Sequence, residues 1–102
     1  MPLPPLQPSK AHTATANRVA RRYGGVFERG EGPDIETEEM VVYVATTATM
    51  RKILREVALN SKPAYLAVTN MEASIEALRA VQGTEWGVLS PKGEILRQAG
   101  GT

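Results

Sequence analysis

The chain has 102 residues, of which 42% are hydrophobic, and twelve basic against eleven acidic side chains leave a net charge of +1. This length predicts a single domain with one modest core. The near-balanced charge argues against a dedicated nucleic-acid binder, which usually carries a large basic excess. The absence of cysteine excludes disulfides, thiolate nucleophiles and zinc–thiolate sites.

The sequence also limits where and how the protein works. It contains no apolar run of about 18 residues that would span a membrane, and its N-terminus lacks the pattern of a secretory signal. We therefore expect a cytoplasmic protein that does not bind membranes. The single histidine, His12, falls in a stretch rich in proline, alanine and threonine, so we expect no histidine-dependent catalysis.

Residues 1–17 have the composition of a disordered leader. Four prolines lie within the first eight residues and remove backbone donors that a helix or strand needs. We predict that this leader is dispensable for folding and that residues 18–102 form the folded domain.

Residues 18–28 leave two secondary structures open. A short helix would end at the glycine pair 24–25 and would place three basic residues on one face, Arg18, Arg21 and Arg22. A strand that continues through Phe27 is the alternative. The following stretch, residues 28–39, holds six acidic residues and predicts a solvated acidic loop.

The rest of the chain alternates between strand and helix patterns. Apolar strands are predicted over residues 40–46, 64–68 and 85–89, with amphipathic helices over residues 50–58 and 71–81. A turn with serine, proline and glycine at residues 90–93 then leads into a last strand. This order predicts an α/β (or α+β) fold, a small mixed sheet of four or five strands around a central β-α-β-α-β unit. Two main helices and a C-terminal β-hairpin complete it, and the first two apolar strands should be adjacent and parallel.

The second of these helices has an apolar stripe at helical spacing. We expect four large side chains of this stripe to face the core, Met71, Ile75, Leu78 and Val81. Alanines between them allow close approach to the sheet or to a partner.

Ligands in open sheets of this type collect beyond the carboxyl ends of the parallel strands. Five polar residues at these ends suit an anion or another small ligand: Thr46, Thr47, Thr49, Thr69 and Asn70. Ordinary helix capping accounts for the same residues without a ligand. No residue pattern predicts a metal site or a cofactor, and no reactive side chains have a recognisable catalytic spacing, so an enzyme is not favoured.

A second group of residues is basic and suits a nucleic acid or an acidic partner: Arg18, Arg21, Arg22, Arg51, Lys52 and Arg55. If the N-terminal segment packs beside the first main helix, these residues form one stripe that follows phosphates. The overall charge of +1 favours a mixed, solvated surface instead.

The lack of reactive chemistry favours a small non-catalytic binding or regulatory module that acts through protein–protein contacts. The alternative is a nucleic-acid-binding accessory protein that uses the basic stripe. We also expect a homodimer, because a short chain with surplus apolar side chains gains from a partner copy. The expected interface is the C-terminal hairpin, with Trp86, Val88, Ile95 and Leu96.

Overall fold

A computed structural model describes residues 10–27, 33–57 and 62–100, with side chains from residue 12 onward. Three helices and six strands lie along these residues. In chain order they are α1 (Lys10–Tyr23), β1 (Val26–Phe27), β2 (Ile35–Glu36), β3 (Val41–Ala45), α2 (Met50–Glu56), β4 (Ala64–Val68), α3 (Met71–Ala80), β5 (Gly87–Leu89) and β6 (Ile95–Arg97).

The strands form one mixed sheet in which the chain order is also the spatial order. β3, β4 and β5 are parallel, with Val41 opposite Ala64, and the remaining neighbours are antiparallel. The predicted fold class and the parallel pairing of the first two apolar strands are therefore confirmed. The sheet has six strands rather than four or five, because β1 and β2 form a short ribbon. β2 lies within residues 28–39, which the sequence predicted to be a loop.

Helices cover both faces of this sheet. Since side chains alternate along a strand, Val42 and Tyr65 pack with α1, whereas Leu66 and Val68 pack with α2 and α3. Fully burying one such aliphatic side chain contributes about 1.5–3 kcal/mol relative to leaving it exposed. The sheet thus divides the core into two layers, and α1 lies on the opposite side of the molecule from α2 and α3.

α1 begins at Lys10, inside the stretch predicted to be a disordered leader. Thr15, Ala16 and Val19 are buried against the sheet, and the helix ends before Gly24, whose φ of 77° is the left-handed conformation common after a helix. The choice left open for the basic segment is therefore decided in favour of a helix. The prediction missed the first turns because small alanine and threonine side chains carry little hydrophobic signal. Disorder of residues 1–9 lies outside the described residues and stays a prediction.

α2 is shorter than predicted and ends at Glu56, with Val57 as its C-cap. Met50 is buried, and Ile53 and Leu54 pack partly buried against the same core layer. The expected stripe is therefore present as far as Val57. Residues 58–61 lie outside the described residues.

α3 turns small side chains rather than large ones toward the sheet. Its buried residues are Ala73, Ser74 and Ala77. Met71 and Ile75 are 62% and 56% exposed, so the prediction that they face the core is wrong. Leu78 is half-buried and Val81 fully buried, as the stripe required. Small residues let the helix backbone lie close to a sheet surface that Leu66 and Trp86 already fill.

The C-terminal hairpin has the predicted turn. The Ser90 hydroxyl oxygen accepts hydrogen bonds from the amides of Lys92 at 3.2 Å and Glu94 at 3.1 Å. Gly93 takes a left-handed φ of 86°, which explains why glycine closes the turn. Arg97 then donates to the carbonyl of Val81 at 2.9 Å, so that β6 is tied to the end of α3.

Candidate functional site

Polar side chains at the carboxyl ends of β3 and β4 make local hydrogen bonds in the turns before α2 and α3. The Thr49 hydroxyl accepts the Thr46 amide at 2.9 Å and lies 3.2 Å from the Thr46 hydroxyl. Asn70 caps α3 by accepting the Ala73 amide at 2.7 Å. The remaining two candidates lie at the surface, exposed Thr47 and half-buried Thr69. Asn70 thus caps α3, whereas Thr46 and Thr49 bond to each other in the turn before α2 and Thr49 makes no side-chain capping bond. A ligand at this edge stays a prediction.

Asp34 lies at the same edge of the sheet, because β2 runs antiparallel to β3. Its Oδ2 accepts a hydrogen bond from the Val44 amide at 2.8 Å, and its Oδ1 lies 3.5 Å from His12 Nε2. Burial raises the pKa of Asp34, although the Val44 hydrogen bond and the charge of His12 both act to lower it. This carboxylate therefore links β3, β2 and the first turn of α1.

His12 belongs to this link rather than to an unstructured tail. Its Nε2 faces Asp34, its Nδ1 is buried, and its ring centre lies 5.9 Å from that of Phe27. These contacts join the first turn of α1 to β2.

The six predicted basic residues do not form one stripe. Three are exposed on α1, Arg18, Arg21 and Arg22, and three are exposed on α2, Arg51, Lys52 and Arg55. The two helices pack on opposite faces of the sheet, so the condition for a single stripe, that the N-terminal segment packs beside the first main helix, is not met. No single surface presents all six cations to one phosphate backbone.

α2 and α3 leave a groove between them on the outer surface of their layer. It has a volume of about 560 Å³ and is lined by Arg51, Leu54, Arg55, Glu76, Arg79 and Ala80. The two helices follow successive parallel strands and pack on the same face of the sheet, which sets them side by side. Half-buried Leu54 and Ala80 supply apolar surface between the charged groups. We refer to this site as the basic groove.

The basic groove holds three guanidinium groups and one carboxylate. The two ion pairs seen among the described residues are His12–Asp34 and Lys62–Glu36, so the groove arginines take part in neither. Guanidinium groups bind carboxylates through two parallel hydrogen bonds, and such charge-assisted bonds are stronger than neutral ones. The groove therefore has the chemistry to bind an acidic group next to an apolar one.

The sequence predicted Arg51 and Arg55 as binding residues but did not indicate Arg79. The signal was present in the predicted fold, since two helices of one parallel β-α-β-α-β unit lie on the same face of the sheet. Exposed cations of the second helix therefore belong with those of the first. Lys52, which was predicted with Arg51 and Arg55, does not line the groove.

An acidic depression of about 640 Å³ lies near the amino ends of β3 and β4, where Glu36, Glu38 and Glu39 are exposed. Lys62 Nζ lies 2.8 Å from Glu36 Oε2 and donates to the Thr37 carbonyl at 3.0 Å. An exposed pair of this kind contributes only about 0–1 kcal/mol. Glu36, Glu38 and Glu39 are therefore solvated as predicted for the acidic loop, although Glu36 belongs to β2.

The hairpin residues predicted for self-association divide into two groups. Trp86 and Val88 are buried in the core layer under α3, and the Trp86 ring lies 5.6 Å from that of Tyr43. Ile95 and Leu96 are 49% and 39% exposed on the edge strand. The expectation that Trp86 and Val88 form a dimer contact is therefore wrong, because one folded chain already covers them.

Within the described residues, no three histidine, aspartate or glutamate side chains lie close enough together to hold a metal ion. None of the three described helices is both long and apolar enough to cross a membrane. The cytoplasmic location stays a prediction from sequence. A scan against protein-family models found no matching family, and searches of curated proteins and of solved structures found no significant match.

Proposed function

We propose that this domain is a small non-catalytic binding module that acts through contacts with another protein. The observation that carries the proposal is the basic groove, in which half-buried apolar side chains lie among three arginines that take part in no ion pair with the described residues. The partner segment would carry aspartate or glutamate next to leucine-like residues. Its carboxylates would pair with Arg51, Arg55 and Arg79, and its apolar side chains would cover Leu54.

The placement of the arginines favours an acidic protein segment over a nucleic acid. The arginines of α1 lie on the other face of the sheet, so phosphates beyond the groove would meet few further cations. Nucleic-acid binding gains affinity from many phosphate contacts together. It remains the alternative function and an outcome of the experiment below.

The proposal is tested by fluorescence anisotropy with three labelled probes. One is an amphipathic peptide with leucine at helical spacing and glutamate elsewhere, the second has lysine in place of glutamate, and the third is a single-stranded DNA of the same charge as the first. The double variant Arg51→Glu/Arg55→Glu replaces two positive charges of the basic groove with negative ones. The matched control, Arg18→Glu/Arg21→Glu, makes the same change of charge on α1.

We expect the wild type and the α1 control to bind the acidic peptide, and the groove variant to bind it at least tenfold more weakly. A hydrogen bond to a charged group contributes about 1.5–3 kcal/mol, and 1.4 kcal/mol corresponds to tenfold in affinity. Equal losses in both variants, or no binding of the acidic peptide, would refute the proposal. Tighter, strongly salt-dependent binding of the DNA would support the nucleic-acid alternative.

A further inference from the structure

α3 carries an apolar stripe that the described part of the chain does not cover. Met71 and Ile75 lie one turn apart on the same side of the helix, and both are more than half exposed. Half-buried Leu78 continues the stripe toward the C-terminal end. Large apolar side chains grouped on one exposed surface, rather than scattered singly, indicate a contact site.

Two opposite charges flank this stripe. Glu72 and Arg79 are exposed, and because they are seven residues apart they project from the same side of the helix, about 10 Å from each other along its axis. That separation prevents them from pairing within one helix. Neither takes part in the ion pairs seen among the described residues.

We infer that this stripe binds a second copy of the same chain, with the two α3 helices antiparallel about a two-fold axis close to Ile75. In this arrangement the charges on the α3 surface of one copy are complementary to those on the same surface of the other. When the two copies of Ile75 meet near the axis, Glu72 of each copy faces Arg79 of the other, and the pairing occurs twice. A self-matching two-fold contact is the commonest form of protein dimer. The contact uses ten-residue helices, so we expect a small interface and a weak dimer.

The edge strand β6 is the competing surface for self-association. It has three residues and an irregular register where it pairs with β5. Bulges of this kind twist an edge away from regular pairing with another strand. Exposed Ile95 on this strand therefore provides a matched control for Ile75.

This inference goes beyond the proposed function and does not depend on it. The two sites share Arg79, but Ile75 and Glu72 do not line the basic groove. Ile75→Lys and Glu72→Arg therefore test the dimer alone, whereas Arg51→Glu/Arg55→Glu on α2 tests peptide binding. Loss of dimerisation with retained peptide binding, or the reverse, separates the two ideas.

The test is sedimentation equilibrium over a range of micromolar concentrations, with circular dichroism to confirm folding. We expect a wild-type monomer–dimer equilibrium that Ile75→Lys shifts to monomer, whereas Ile95→Lys leaves it unchanged. The single variants Glu72→Arg and Arg79→Glu should each weaken the dimer at least fivefold. The double variant Glu72→Arg/Arg79→Glu exchanges the two charges and should restore it.

Three results would overturn the inference. The first is a wild type that stays monomeric at high micromolar concentration. The second is a dimer that is lost in Ile95→Lys but retained in Ile75→Lys. The third is a double charge exchange that fails to restore the dimer. If Ile75→Lys does not fold, the charge exchange still decides, because Glu72 and Arg79 are exposed and their substitution leaves the core unchanged.

Discussion

Asp34 is the residue at which burial, charge and strand pairing act together. Its carboxylate accepts the Val44 amide and faces His12, yet burial is the largest influence on it and raises its pKa above the ordinary value of 3.8. The folded protein therefore takes up a proton at Asp34 at a higher pH than the unfolded chain does. Its contribution to stability is greatest below the unfolded pKa and is lost as the pH rises through the folded pKa.

The change Asp34→Asn removes this titration and keeps an oxygen for the Val44 amide. We expect the free energy of unfolding of the wild type, relative to Asp34→Asn, to fall as the pH rises from about 3.8 through the raised pKa, and to level off above it. Urea unfolding at a series of pH values measures this difference. The substitution Glu38→Gln, at an exposed carboxylate, serves as the control. A difference that grows with pH across the same window would show that the pKa is lowered on folding.

Close packing around Gly87 explains why β5 contains a glycine. A β-carbon at this position would meet the ring of Tyr65 and would lie 2.7 Å from the amide nitrogen of Ala99. Glycine in a strand often marks such a close approach of neighbouring groups. The sequence pattern predicted the strand but gave no sign of the ring that packs over it.

We expect Gly87→Ala to lower the free energy of unfolding by about 1–3 kcal/mol, the usual cost of overpacking a core. Urea unfolding of the single variant measures this loss of stability. The same substitution in a Tyr65→Ala background shows how much of the loss comes from the contact with the tyrosine ring. The cost should be smaller without the ring, because only the Ala99 contact remains. An unchanged midpoint for the single variant would contradict this packing.

At the scale of elements, α1 is the largest departure from what the sequence predicted. Its buried residues in the first turns, Thr15 and Ala16, are too small to produce an apolar periodicity, and nearby prolines suggested disorder. The contact of His12 with Asp34 is distant in sequence, so local patterns could not reveal it. The sequence predicted no effect on stability for removal of residues 1–16.

The structure predicts that a chain starting at Asn17 is destabilised relative to one starting at Lys10. Loss of the first turns of α1, with buried Thr15 and Ala16, should cost on the order of 2 kcal/mol, which lowers the melting temperature by roughly 8–16 °C in a domain of this size. Thermal unfolding of the two truncated chains, followed by circular dichroism, gives the comparison. Equal melting temperatures would mean that residues 10–16 contribute nothing to folding.

α3 shows the limit of the periodicity argument most clearly. The sequence predicted the helix itself, because its length and spacing are typical of an amphipathic helix. It did not predict the rotation of the helix, since a pattern of large residues contains no information on how far neighbouring side chains fill the space above the sheet. Alanine and serine contact the sheet, and Met71 and Ile75 face outward.

For the whole molecule, the parallel centre of the sheet was predictable and the distribution of charge was not. Strands that are apolar on both faces predict a sheet with helices on both sides, and the first two such strands pair as expected. The sequence could not tell that α1 lies on the opposite face from α2, which separates Arg18 from Arg51. Nor did it identify Arg79 as a neighbour of Arg55. The proposed binding site, the basic groove, lies on the layer formed by α2 and α3.

The most direct test of that placement is nuclear magnetic resonance of the ¹⁵N-labelled protein during titration with the acidic amphipathic peptide. We predict that the largest changes in amide chemical shift fall in α2 and in the C-terminal half of α3, around Arg51, Arg55 and Arg79, with little change in α1. Changes centred on Arg18 and Arg21, or no changes at peptide concentrations well above those of the protein, would contradict it.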